Sequence, residues 1–157
     1  MLLGTPLANA HTSAQVTAQE PLFFLDFQHH NLNRNRTESL RHLQGHLSFI
    51  LLFEPECSWC IHQGHALLEL QQQWSSTPSI AIAAIGVHGD KQRLKKTWRK
   101  MGITDNGYQI GGALQQQLGT LPATPITLIL NHQGKIIEHL RGYVPVSQLL
   151  PLAQALL

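Results

Sequence analysis

The apolar run Leu47-Ser48-Phe49-Ile50-Leu51-Leu52-Phe53 stands three residues before Cys57-Ser58-Trp59-Cys60, which carries the only two cysteines of the chain. The run predicts a buried strand over 47–53, and the residues from Cys57 to Trp74 predict a helix, with Leu67, Leu70 and Trp74 at i, i+3 and i+7. A buried strand that delivers a C-x-x-C to the start of a helix suits dithiol–disulfide chemistry. The spacing brings the two sulfurs within bonding reach, and the helix N-terminus favours a thiolate on the first of them. A purely structural staple usually links residues far apart, because closing a short loop gains little. An inert staple is therefore the weaker reading of this pair, and redox function the stronger.

At 157 residues and 43% apolar content, the chain suits a single domain with one core. A formal charge of +2 with 13% charged residues provides no strong electrostatic address, so neither nucleic acid nor an acidic membrane surface is expected as partner. Lys91, Arg93, Lys95, Lys96, Arg99 and Lys100 are concentrated in one segment, but Leu94, Trp98 and Met101 lie opposite them. That pattern is the solvated face of an amphipathic helix, without the interleaved aromatics of a nucleic-acid patch. No run of 18 apolar residues occurs, so no transmembrane segment is expected. Residues 1–20 are polar, small and aperiodic; Leu2 to Ala10 end in an A-x-A pattern. They are read as a disordered tail or the remnant of a secretory signal cleaved after Ala10.

Along 21–157, Pro21 to Phe27 predicts a short aromatic strand and His30 to Asn35 a loop. Thr37 to Leu43 predicts a helical turn capped by Thr37, with Leu40 and Leu43 inward and Gly45 ending it. Ser79 to Val87 is nearly continuous apolar, as in a central strand covered on both faces. A helix over Lys91 to Met101 follows the turn at Gly89-Asp90, and Asp105-Asn106-Gly107 reads as loop. Ala113 to Leu118 predicts a short helix stopped by Gly119. Ile126 to Leu130 and Lys135 to Leu140 form a hairpin around Asn131-His132-Gln133-Gly134. Val146, Leu149, Leu150, Ala153, Leu156 and Leu157 predict a closing amphipathic helix; if Ser147 caps it, Pro151 falls at the edge of the first turn. Strand–helix–strand–helix alternation implies that the first two core strands pair in parallel.

This order of elements, with Phe53-Glu54-Pro55-Glu56-Cys57-Ser58-Trp59-Cys60, resembles the thioredoxin-like superfamily and within it the TlpA/ResA-like envelope thiol–disulfide oxidoreductases of bacteria. Leu40 to His46 is similar to the turn before that branch's first core strand. Ala123-Thr124-Pro125 leading into Ile126 to Leu130 is similar to its proline loop, and Gly134-Lys135-Ile136-Ile137 with Gly142 to its final hairpin. The resemblance covers roughly residues 22–157 and implies an α/β thioredoxin fold, a central mixed β-sheet flanked by helices. It further implies Cys57 as exposed nucleophile, Cys60 as resolving thiol, a cis bond before Pro125, and backbone pairing of Thr124 with the substrate chain. No cofactor is expected. The implied partners are cysteine-containing protein substrates and a membrane electron donor or acceptor, met by a periplasmic monomer.

Two departures bear on mechanism. Thioredoxin carries a buried acid six positions before the first cysteine, where this chain has Leu51; Glu54 or Glu56 would have to handle protons, with Glu54 the better placed for Cys60. Trp59, an aromatic before the second cysteine, recurs in bacterial disulfide isomerases and in conjugation-associated relatives. It reads as an exposed recognition platform, against the alternative of a core aromatic. His62 and His65 invite a metal reading with the cysteines, but on a helix they project away from the face of Cys60, so no metal site is expected. The alternatives to an oxidoreductase are an isomerase or conjugation-machinery assembly factor, and a non-catalytic thioredoxin-scaffold module that binds metal or a partner protein.

Overall fold

The run Leu47–Phe53 is the fully buried strand at the heart of a seven-stranded sheet. The structure, a computed structural model, describes Gly4 and residues 23–157. The expected tail or signal remnant over 1–20 and the first two residues of the expected aromatic strand lie outside the described residues, apart from Gly4.

The strands are β1 (His29–Asn31), β2 (Thr37–Glu38), β3 (Leu47–Phe53), β4 (Ile80–Gly86), β5 (Gly107–Gln109), β6 (Ile126–Leu130) and β7 (Ile136–Arg141). The helices are α1 (Ser58–Gln73), α2 (Lys91–Met101), α3 (Gly112–Leu118) and α4 (Val146–Ala155). The sheet order is β2-β1-β5-β4-β3-β6-β7, with β3, β4 and β5 mutually parallel and the remaining pairs antiparallel. The parallel pairing of β3 with β4, expected from the strand–helix–strand order, runs from Leu47↔Ile80 to Phe53↔Gly86.

Alternation along β3 divides the core into two. Leu47, Phe49, Leu51 and Phe53 pack with Cys60, Leu67, Leu70, Leu94, Trp98, Met101, Leu149 and Ala153, the inward faces of α1, α2 and α4. Ile50 and Leu52 point the other way, onto Phe24, Leu25, Phe27, Leu40, Leu43 and Leu114. Both faces are covered, which is why the run is continuously apolar. Each large side chain so buried contributes about 1.5–3 kcal/mol.

Five local expectations change. Phe24–Asp26 is a 3₁₀ turn, not a strand, because Phe24, Leu25 and Phe27 must all bury on one side, which a period of two forbids. The loop expected from His30 begins inside β1, which pairs with β2 and β5. Thr37 belongs to β2 and caps nothing; the turn is confined to Arg41–Leu43, with Leu40 at its cap and both leucines buried as expected. Gly107 opens β5, too short to show a period of its own, and its Cα lies so near the Trp98 ring that a Cβ would overlap it. At the C-terminal helix Pro145, not Ser147, holds the cap position and Pro151 falls inside α4, in its second turn.

Candidate active site

Strand β3 ends at Phe53, and Glu54-Pro55-Glu56 turn the chain onto the N-terminus of α1, with Glu56 in left-handed conformation at φ 63°. That turn is tied down from α2: the Glu56 N–H donates to Thr97 Oγ1 at 2.9 Å, and the Arg93 guanidinium approaches the Glu56 carboxylate at 3.3 Å. Cys57 sits at the N-cap of α1, where its Sγ accepts from the Cys60 N–H at 3.2 Å. The two cysteines are joined as a disulfide, with Cα atoms 5.2 Å apart. Cys57 is half-buried and Cys60 fully buried. Cys60, Gln63, Gly64, Leu67 and Leu70 fall at i, i+3, i+4, i+7 and i+10 along the inward face of α1, so the helix itself carries the second sulfur under the surface.

The loop before β6 faces the disulfide. Thr124 lies outside the β6 ladder, which starts at Ile126↔Leu52, and the Thr124–Pro125 peptide bond is cis. A second cis bond, Thr77–Pro78, lies in the α1–β4 connection and was not anticipated from sequence. The Thr124 carbonyl oxygen is 4.0 Å and its Oγ1 3.8 Å from Cys57 Sγ. The same hydroxyl donates to Glu54 Oε2 at 2.8 Å, and Glu54 Oε1 lies 3.6 Å from His88 Nε2 on the β4–α2 connection. Glu54 is thus tied to the Cys57 side of the disulfide through Thr124.

Leu51 is fully buried in the same apolar cluster as Cys60. Its register partner on β6, Thr127, presents a buried hydroxyl with no hydrogen-bond partner among the described residues. The surroundings of Cys60 are therefore apolar where thioredoxin carries its acid.

Trp59 is 59% exposed, and beside it stand the Tyr143 ring, with centroids 5.4 Å apart, and the His62 ring, at 5.5 Å. Tyr143 is 41% exposed. Sequence reasoning placed Trp59 on the surface but missed Tyr143 and the residue that brings it there. Gln63, fully buried on α1, donates from Nε2 to the Val144 carbonyl at 3.0 Å and accepts at Oε1 from the Val144 N–H at 2.7 Å. This two-bond clamp holds the β7–α4 connection against α1. Its sequence signal was an amide three residues after Cys60 on the apolar face. His65 turns away from the cysteines, its Nε2 bonding the Lys100 carbonyl at 2.9 Å. Among the described residues no cluster of three or more His, Cys, Asp or Glu is arranged to hold a metal, and no helix is long and apolar enough to cross a membrane.

This arrangement can exchange disulfides at one sulfur. An incoming thiolate reaches Cys57 but not the sealed Cys60, so attack at Cys57 Sγ expels the Cys60 sulfur as leaving group. The helix N-terminus offers unpaired N–H groups to a Cys57 thiolate in the reverse direction.

No protein-family model and no curated protein matches the sequence. Solved structures do match in fold. A secreted disulfide oxidoreductase of Mycobacterium tuberculosis, described as homologous to DsbE of E. coli, superposes with a TM-score of 0.66 at 14% identity, over 83% of this chain and 96% of that one. DsbF of the same organism has a TM-score of 0.66 at 15% identity, over 87% and 98%. A thiol-disulfide isomerase of Corynebacterium glutamicum has a TM-score of 0.63 at 19% identity, over 88% and 97%. The chain has the thioredoxin fold that the resemblance implied, and the solved structures it is similar to are bacterial thiol–disulfide oxidoreductases.

Proposed function

We propose that this protein is a thiol–disulfide oxidoreductase of the bacterial cell envelope that acts, as a monomer, on cysteines of other proteins. The observation that carries the reading is the pairing of a reachable Cys57 at the α1 N-cap with a sealed Cys60, facing Thr124 and Pro125 across the disulfide. A substrate thiolate attacks Cys57 Sγ, forming a mixed disulfide and releasing Cys60 as thiolate. A second substrate thiolate then attacks the substrate sulfur of that bond and frees Cys57. Two electrons pass from the substrate dithiol to the protein, and the reverse sequence returns them. Thr124, outside the ladder, offers its backbone to an extended substrate segment by β-augmentation, with Pro125 shaping the loop and Trp59 covering the flank. A membrane electron donor or acceptor resets the dithiol. The envelope location is supported by the secreted mycobacterial structure of the same fold.

An insulin-reduction assay tests the reading: the parent should be active and Cys57→Ala inactive. In the reduced native protein alkylation should modify Cys57 well before Cys60. Modification of Cys60 first would reverse the roles, and an inactive parent would leave a scaffold that binds without catalysis. The aromatic pair Trp59–Tyr143 favours a second reading, disulfide isomerisation, because an exposed apolar surface beside the sulfurs holds an incompletely folded chain. The reduction potential separates the two: a value near or below about −250 mV marks a reductase, and one above about −180 mV an oxidant or isomerase.

A further inference from the structure

The Thr124 hydroxyl has one proton and two claimants. It donates to Glu54 Oε2 at 2.8 Å, while its oxygen stands 3.8 Å from Cys57 Sγ, within reach of a sulfur hydrogen bond. We propose that Glu54 is a positioning residue that governs Cys57 through the Thr124 hydroxyl, because the Glu54 carboxylate and a Cys57 thiolate compete for the same proton.

With Glu54 ionised, the hydroxyl proton is committed to Oε2, and Thr124 turns its lone pairs toward the sulfur. A neutral Cys57 thiol can then donate to Thr124 Oγ1, whereas a thiolate meets lone pairs and a nearby negative charge; the thiol is favoured. With Glu54 protonated, or replaced by an amide, the bond reverses. The carboxyl O–H or amide N–H donates to Thr124 Oγ1, the hydroxyl rotates, and its proton is offered to the thiolate as a charge-assisted bond. The hydroxyl thus passes on the charge state of Glu54 with inverted sign.

The groups facing Glu54 come from three elements. His88, on the β4–α2 connection, approaches Oε1 at 3.6 Å. Cys57 and Thr124 face it from the α1 N-cap and the loop before β6. On its own turn Glu56 is occupied by Arg93 at 3.3 Å, and Asp90 caps α2 by accepting from the Arg93 N–H at 3.0 Å. The inference rests on the reading of Cys57 as nucleophile.

The test titrates the Cys57 thiolate by its ultraviolet absorbance in a Cys60→Ala background, where Cys57 is the one remaining thiol. Glu54→Gln should lower the titration midpoint by about one pH unit. In Thr124→Val the same Glu54→Gln change should move the midpoint by less than half as much, and in Thr124→Ser by the full amount, since serine restores the hydroxyl. Thr124→Ala serves as a second hydroxyl-free background should valine disturb the loop. Equal shifts with and without the hydroxyl would overturn the proposal and leave Glu54 acting through space; so would no shift from Glu54→Gln. The titration needs no substrate. A chain that titrates as described yet reduces no protein disulfide would refute the oxidoreductase reading alone.

Discussion

Lowering the pH should destabilise this protein through one side chain, His29, before it touches the carboxylates. His29 is fully buried in β1, its Nδ1 accepts from the Gly111 N–H at 3.0 Å, and its Nε2 has no partner among the described residues. The neutral ring therefore carries its proton on Nε2. A second proton would destroy the one acceptor and place a charge in an apolar setting beside Tyr108, whose ring centroid is 6.2 Å away. Gly111 is packed against the strand so closely that a Cβ there would overlap the Gln28 carbonyl. Burial accordingly pulls the imidazole down to about 4 from an ordinary 6.5. Because the unfolded chain binds this proton first, stability is complete above about pH 6.5 and is lost as pH falls toward 4. Linkage between these two values gives a loss of about 2 kcal/mol between pH 7 and pH 5. For a chain of this size that lowers the melting temperature by roughly 4–8 °C. The chain has nine other histidines, so the informative quantity is the difference from His29→Gln, which retains an acceptor for Gly111 but no buried imidazole. Urea unfolding at pH 7 and pH 5 should show the parent losing about 2 kcal/mol more than the variant. Parallel losses in the two proteins would refute the reasoning and show that His29 can be protonated in place.

Two further outcomes are expected at and behind the site. Trp59→Ala should weaken mixed-disulfide formation with a cysteine-containing peptide while leaving exchange with a small thiol within about twofold, since a small thiol needs only the Cys57 sulfur; equal losses in stopped-flow measurements with both would remove Trp59 from substrate docking. Gly64→Ala should destabilise the fold by about 1–3 kcal/mol in urea titration, because a Cβ there would stand 2.8 Å from Met101 Cβ and push α1 from α2.

Much of this was legible in the sequence because it follows from local periodicity. The continuous apolar run 47–53, the three- and four-residue spacing of Leu67, Leu70 and Trp74, and the isolated cysteine pair specify a buried strand feeding a redox-capable helix start. The Thr-Pro before Ile126 and the glycine turn at 134 specify the proline loop and hairpin. Local signals failed where an element is too short to repeat a pattern. Three-residue β1 and β5 draw their pairing from neighbours distant in sequence, and the turn at Phe24–Asp26 is imposed by the surface it covers.

The partners of the site's side chains belong to tertiary structure alone. Glu54 was legible as a carboxylate near the cysteines, but its commitment to Thr124, 70 residues on, depends on how β3 and β6 lie side by side. Gln63 clamping Val144, Tyr143 joining Trp59, and His29 left without a partner for Nε2 among the described residues are likewise long-range results. Hydrophobic period and turn chemistry act between near neighbours and are written in one dimension. A hydrogen bond or a desolvated imidazole depends on distances of a few ångströms between segments that only the closed sheet brings together.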